Sequence, residues 1–232
     1  MFVLKRKVSQ QVKKGLLFLH IPKTAGTSFR VAAKNPFWGL KVYTDYGDRS
    51  SSSRFIRKCY KKKDFSPIAT ISEKKTILVG HFFLKKYANY YPVQNVITFV
   101  REPVQRILSH YHYMIRTNRY EGSLESFVGD KRYQNIQSRS FSNYPIESIG
   151  FIGITEKYFE SLLLINKYYS LKLRVKHVNK NKKMRNTCYD EDEDLISLIK
   201  EHNEEDIKIY NKAYQIFLSR MEAEKAEINF SP

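Results

Sequence analysis

The sequence predicts an α/β domain with a central, mostly parallel sheet flanked by helices, and two segments carry that prediction. Gly15-Leu16-Leu17-Phe18-Leu19-His20-Ile21-Pro22-Lys23-Thr24-Ala25-Gly26-Thr27-Ser28 and Val96-Ile97-Thr98-Phe99-Val100-Arg101-Glu102-Pro103-Val104-Gln105-Arg106-Ile107-Leu108-Ser109 share one pattern. Each is a short apolar run that ends abruptly in cationic and hydroxyl residues and passes into an amphipathic stretch, as a buried strand, an anion-binding turn and a helix would. A continuous apolar run, rather than alternation, is what a parallel strand covered on both faces needs. At 232 residues the chain fits one such domain over 1–232, with a core from about 15 to 185 and C-terminal helices from about 190 to 226. Two turns of this kind predict a ligand with two separated anionic groups.

In the first unit Leu16 to Leu19 form the strand and Pro22 stops it. Lys23-Thr24-Ala25-Gly26-Thr27-Ser28 then supplies small residues that let the backbone approach a ligand, hydroxyls that can cap a helix, and one ammonium. Backbone N–H groups at the helix start would face the same anion. A nucleotide triphosphatase needs Gly-x-x-x-x-Gly-Lys-Ser/Thr, whereas here the lysine precedes the loop's only glycine and none follows it. The loop therefore reads as a P-loop relative built for a different phosphate arrangement, against the competing reading of a structural turn with a solvated lysine. Thr27 to Lys34 is the first helix. Asn35 to Asp64 is a polar, aromatic-punctuated connection, too long to be structureless, and is expected to hold short helices or part of a substrate cleft.

The apolar run Thr76 to Val79 precedes Gly80-His81. In the second unit Pro103 suits the first turn of a helix, where its missing N–H would have had no partner. Val104, Ile107, Leu108, Tyr111 and Met114 or Ile115 follow at helical spacing as the buried face, with Arg106, Ser109, His110 and Tyr113 on a second stripe. Arg101 at the strand end and Ser109 on the helix can reach one anion together, a guanidinium fork beside a hydroxyl donor. A solvated charged face is the competing reading, and the joint occurrence of both units weighs against it. Arg174 to Val178 reads as a short strand, followed by a basic loop, Asn179 to Arg185. Asp190 to Asp194 and Glu204-Glu205-Asp206 each precede helically spaced apolar residues, and are read as helix starts rather than metal sites. No Cys/His cluster has zinc spacing, and His110-x-His112 on a helix would point its imidazoles apart, so no metal is expected.

Lys-Thr-Ala-Gly-Thr-Ser after a strand, followed by Arg-x-Pro-x-x-Arg-x-x-Ser, resembles the paired signatures by which sulfotransferases hold 3′-phosphoadenosine 5′-phosphosulfate (PAPS). The flanking His-Ile-Pro-Lys-Thr resembles the carbohydrate branch that includes the heparan sulfate 2-O-sulfotransferases. The resemblance implies a P-loop-NTPase-like sulfotransferase fold in which Lys23, Thr24, Ala25, Gly26, Thr27 and Ser28 surround the 5′-phosphosulfate. Arg101 and Ser109 would hold the 3′-phosphate. Gly80-His81 stands where that family carries a Gly-His whose imidazole is the catalytic base. Gly150 to Glu156 is similar to its recurring Gly-x-Thr-Glu segment, and Tyr133 to Arg139 extends the likeness. The basic loop stands where related enzymes close over the nucleotide, which makes Lys180 and Arg185 further candidates.

Sulfuryl transfer to an alcohol needs a base for the hydroxyl proton and a cation for charge building on the departing phosphate oxygen. His81 and Lys23 fit those roles, and no metal is required. A formal net charge of +18 implies an anionic partner, and with the resemblance this favours a carbohydrate acceptor, with an acidic glycan admitted, over nucleic acid. The competing functions are a P-loop-type kinase, disfavoured by the displaced lysine and the lack of a clear strand-end aspartate for magnesium, and a non-catalytic polyanion-binding module. Only Cys59 and Cys188 are present, which suits a reducing compartment. No apolar run approaches the roughly 20 residues of a membrane span, and the N-terminus is too charged for a signal core. A cytoplasmic enzyme is the expectation, with peripheral membrane contact left open.

Overall fold

The computed structural model describes residues 14–34, 40–174 and 192–229. Five strands form one sheet: β1 (Leu16–Leu19), β2 (Lys41–Asp45), β3 (Thr76–Gly80), β4 (Val96–Val100) and β5 (Phe151–Ile154). Their order is β2-β3-β1-β4-β5 and every pairing is parallel. All residues of β1, β3, β4 and β5 are buried, as continuous apolar runs must be when helices cover the sheet. The helices are α1 (Gly26–Ala33), α2 (Arg54–Lys62), α3 (Ile68–Ser72), α4 (Pro103–Arg116), α5 (Leu124–Gly129), α6 (Ile136–Ser140), α7 (Tyr158–Tyr169), α8 (Glu193–His202) and α9 (Glu204–Asn229).

The expected α/β architecture is present, and the sheet is wholly parallel among the described residues. Phe18 of β1 stacks on Phe29 of α1 at 4.0 Å between ring centroids, which seats the first helix over the central strand. α7 and α9 pack against β5, so this edge strand is buried as completely as the central ones. The connection expected over 35–64 contains a strand as well as a helix. β2 pairs with β3 alone and opens at an exposed Lys41, so an edge position never demanded the apolar run that marks the other strands. Most of the strand expected over 174–178, with Lys180, Arg185 and Cys188, lies outside the described residues.

α4 begins as its sequence predicts, with Pro103 in the first turn and Glu102 accepting from the backbone N–H groups of Val104 (3.1 Å) and Gln105 (2.7 Å). Its inner face, Val104, Ile107 and Leu108, forms a second apolar cluster with Phe127, Val128 and Ile199. Arg106 does not join the ligand-facing stripe on which helical spacing put it. Its side chain is fully buried, Nη2 donates to the Tyr133 carbonyl at 2.9 Å, and Nε lies 3.6 Å from Oδ2 of Asp206. Asp206 opens α9 from within the protein: its carboxylate accepts from the backbone of Gln137 (3.2 Å) and Ser138 (2.8 Å), the first turn of α6. Asn203 Oδ1 receives the N–H of Asn135 at 3.0 Å beside them. One buried ion pair thus joins α4, α6 and α9.

Removing one partner of a buried pair leaves the other charge uncompensated, so Asp206→Ala should lose about 3–5 kcal/mol of stability. Urea denaturation measures this, and a variant as stable as the parent would show that the pair does not hold the helices together.

Candidate active site

From β1 the chain steps out to β2, returns through β3, and then crosses to β4 and β5. The carboxyl ends of parallel strands on either side of such a reversal open a crevice, and the sequence-predicted residues stand there. Lys23 follows β1, His81 follows β3 and Arg101 follows β4.

The loop after β1 holds its shape without a glycine at its bends. Lys23 (φ 69°) and Ala25 (φ 62°) both take the left-handed conformation, a strain that functional loops tolerate when their surroundings enforce it. The buried Thr24 hydroxyl donates to the Ile21 carbonyl at 2.9 Å, so this side chain shapes the loop from within. α1 then starts at Gly26 with no acidic residue in its first turn, and Thr27 and Ser28 stand half-buried there. The positive end of the helix dipole meets no carboxylate from its own first turn.

Three cations converge on this loop. The Lys23 ammonium lies 4.6 Å from the Tyr113 ring centroid, and Nη1 of Arg101 donates to the Lys23 carbonyl at 3.4 Å. Burial, and then the charges of Arg101 and Arg116, pull the Lys23 pKa down to about 8. Arg101 is held by its backbone: Gln137 Oε1 accepts from its N–H at 2.8 Å and Gln137 Nε2 donates to its carbonyl at 2.9 Å. Its Nε is 3.9 Å from Glu156 Oε1, a carboxyl whose pKa is raised chiefly by burial. Ser109 lies half-buried on α4.

His81 is set by a glycine. A Cβ on Gly80 would stand 1.9 Å from the Asp45 carbonyl oxygen, and that same carbonyl receives the His81 N–H at 3.1 Å. The His81 side chain then bonds through Nδ1 to the His20 carbonyl at 2.5 Å. A carbonyl only accepts, so the proton sits on Nδ1 and Nε2 carries the lone pair. Burial depresses the His81 pKa, the hydrogen bond opposes it, and the Arg30 charge adds to the depression, leaving a neutral imidazole at pH 7.

Sequence reasoning assigned no role to His20, Tyr46, Arg30, Asp45 or Gln137, all of which shape the site. His20 is buried, packs tilted against His81 at 4.2 Å centroid separation, and shares a 3.0 Å hydrogen bond between Nδ1 and the Tyr46 hydroxyl. Gly26 is small because His20 is there: a Cβ would lie 1.9 Å from the His20 ring. His20 was visible only as part of the His-Ile-Pro-Lys-Thr signature, while Asp45 ends the unforeseen strand and Tyr46 follows it. Asp45 also corrects the expectation that no aspartate ends a strand. It ends β2, but its carboxylate accepts from Tyr60 (2.9 Å), Lys86 (2.6 Å), Tyr87 (2.7 Å) and the Gly47 N–H (3.0 Å), which commits it to structure. Among the described residues no group of three or more His, Cys, Asp or Glu side chains could hold a metal ion. No helix among them is long and apolar enough to cross a membrane.

Fold and site together describe an α/β protein whose parallel strands carry Lys23, His81 and Arg101 beyond their carboxyl ends. The model of the Sulfotransferase family matches residues 8–148, a span that includes Lys23 to Ser28, His81, Arg101 and Ser109. The chain belongs to that family, and is a transferase by that membership. Among solved structures it is similar to a sulfotransferase from Alicyclobacillus acidocaldarius, with a TM-score of 0.47 and 12% identity over 86% of this chain and 95% of that one. Among curated proteins none matches the sequence.

Gly80→Ala should cost on the order of 1–3 kcal/mol in stability, because the clash is with backbone and no side-chain rotation relieves it. Denaturant melts measure the loss. Unchanged stability would mean that β2 and β3 can part at this end without consequence for His81.

Proposed function

We propose that this protein is a PAPS-dependent O-sulfotransferase that acts on a carbohydrate hydroxyl. The observation that carries the reading is the meeting, at adjacent strand ends, of a cation-lined loop and a histidine whose outward nitrogen is unprotonated. The cations suit the ligand: burial, and then Arg101 and Arg116, depress the Lys23 pKa, and bound phosphosulfate and phosphate groups would relieve the part due to the arginines. Lys23 to Ser28 would hold the 5′-phosphosulfate, and Arg101 with Ser109 the 3′-phosphate.

PAPS would supply the sulfuryl group. As the acceptor oxygen bonds to sulfur and the bond from sulfur to the phosphate oxygen breaks, His81 Nε2 takes the acceptor's proton and the Lys23 ammonium faces the charge left on that phosphate oxygen. Arg101 serves earlier, by aligning the donor. Support for a sugar comes from the resemblance to the carbohydrate branch and from Phe83, which stands 47% exposed two residues beyond His81 and offers a ring face against which a pyranose can pack. The net charge of +18 favours an acidic glycan among sugars. A transfer assay with labelled PAPS against a panel of glycans, lipids and peptides tests the acceptor class, and labelling of peptides alone would overturn it.

The 3′-phosphate assignment predicts that 3′-phosphoadenosine 5′-phosphate binds far more tightly than AMP. Arg101→Ala should erase most of that difference, about 1.5–3 kcal/mol for a charge-assisted contact. Calorimetry giving the wild type equal affinity for both nucleotides would remove Arg101 from this role.

The rate should follow a bell in pH. His81 acts unprotonated and its pKa is lowered from 6.5, so the acid limb of kcat/KM should have its midpoint below 6.5. Lys23 acts protonated with a pKa of about 8, so kcat/KM should fall as pH rises through that value. His81→Ala should lose about 10²–10⁴-fold in kcat together with the acid limb. Retention of that limb in the variant would place the base elsewhere.

A further inference from the structure

The His20 and His81 rings lie 4.2 Å apart between centroids and tilted by 35°, and their Nδ1 nitrogens meet different partners. His81 Nδ1 meets a carbonyl, which can only accept. His20 Nδ1 meets the Tyr46 hydroxyl at 3.0 Å, which can donate or accept. Arg30 settles the direction: its guanidinium carbon lies 5.5 Å from the Tyr46 ring centroid and its charge acts on the phenol oxygen. A guanidinium has only donors, so the hydroxyl proton turns away from it, toward His20. His20 Nδ1 then accepts, and the ring's proton sits on Nε2. That edge faces the first residue of α1, where a Cβ on Gly26 would stand 2.3 Å from Nε2, and no described residue accepts from it.

The geometry points to His20 as a further donor-binding residue, a neutral imidazole whose Nε2–H contacts the anionic oxygens of the phosphosulfate at the start of α1. This rests on the sulfotransferase reading and adds to it a division of labour: of two adjacent imidazoles, His81 presents a lone pair to the acceptor and His20 a proton to the donor. The assignment follows from what each Nδ1 touches. Burial, then the charges of His81, Arg30 and Lys23, keep His20 uncharged at pH 7. A neutral N–H donor adds no charge to a site already crowded with cations, where another positive group would raise the repulsion that depresses Lys23. Gly26 has a second use on this account, since it leaves room for the ring edge beside the helix N-terminus.

Nitrogen-15 NMR of histidine-labelled protein reads each tautomer directly. The expected wild-type spectrum has His20 protonated on Nε2 and His81 on Nδ1, with the His20 Nε2 resonance shifting when PAPS saturates the protein. A His20 proton on Nδ1, or no shift on saturation, overturns the inference. By calorimetry, His20→Phe should bind PAPS roughly ten- to a hundredfold more weakly, while His20→Gln, whose amide N–H reaches the Nε2 position, keeps most of the affinity. Equal affinity in wild type and His20→Phe overturns it. Tyr46→Phe leaves His20 in place should the ring replacements fail to fold. It should release the tautomer lock, and an unchanged His20 tautomer in that variant also counts against the inference. Arg101→Ala in the same titrations separates the two readings. Weakened binding there with none in His20→Phe rejects only the role of His20, whereas a wild type that binds no PAPS rejects the functional reading and this inference together.

Discussion

The buried contact between Arg106 and Asp206 is the constraint from which much of the site follows. Both side chains are fully removed from solvent, and a pair in that position adds little stability over a well-packed apolar substitute. What it provides is linkage. Asp206 caps α6, α6 carries Gln137, and Gln137 clasps the backbone of Arg101 on both sides. The C-terminal helix is thereby connected, through one carboxylate and one amide, to a cation at the end of β4. The position of Arg101 accordingly depends on elements that begin far beyond its own motif.

The electrostatics of the crevice are one-sided. Lys23, Arg101, Arg116 and Arg30 all bear on it, and the nearby carboxylates are engaged: Asp45 by two tyrosines and Lys86, Glu156 by the Glu102 backbone N–H and the Arg101 side chain. The Lys23 ammonium registers this setting most clearly: burial first, and then the charges of Arg101 and Arg116, lower its pKa to about 8. Under the proposed function, a bound polyanion would offset this mutual repulsion.

Close backbone approach does for the histidines what charge does for the lysine. Gly80 lets the end of β2 come near enough to hold the His81 N–H, and Gly26 lets α1 start against the His20 ring. The two glycines belong to separate motifs, yet both serve the same pair of adjacent imidazoles. Neither is there mainly for conformational freedom, since the left-handed positions of the loop are taken by Lys23 and Ala25.

The sequence by itself determined the class of fold, the apolar runs of β1, β3 and β4, the start of α4 and which cations stand at the strand ends. These are recorded locally, in apolar runs long enough for a covered strand and in cations at their ends. Tertiary structure decided the rest. β2 escaped notice because an edge strand needs no apolar run, and with it went Asp45 and Tyr46. Arg106 and Ser109 share a helix stripe at the same spacing, but the carboxylate that draws Arg106 inward is a hundred residues away, on α9. His20 and His81 are indistinguishable by residue type. Which imidazole presents a lone pair and which a proton depends on whether Nδ1 meets a carbonyl or a hydroxyl, a fact of three-dimensional contact that no local pattern encodes.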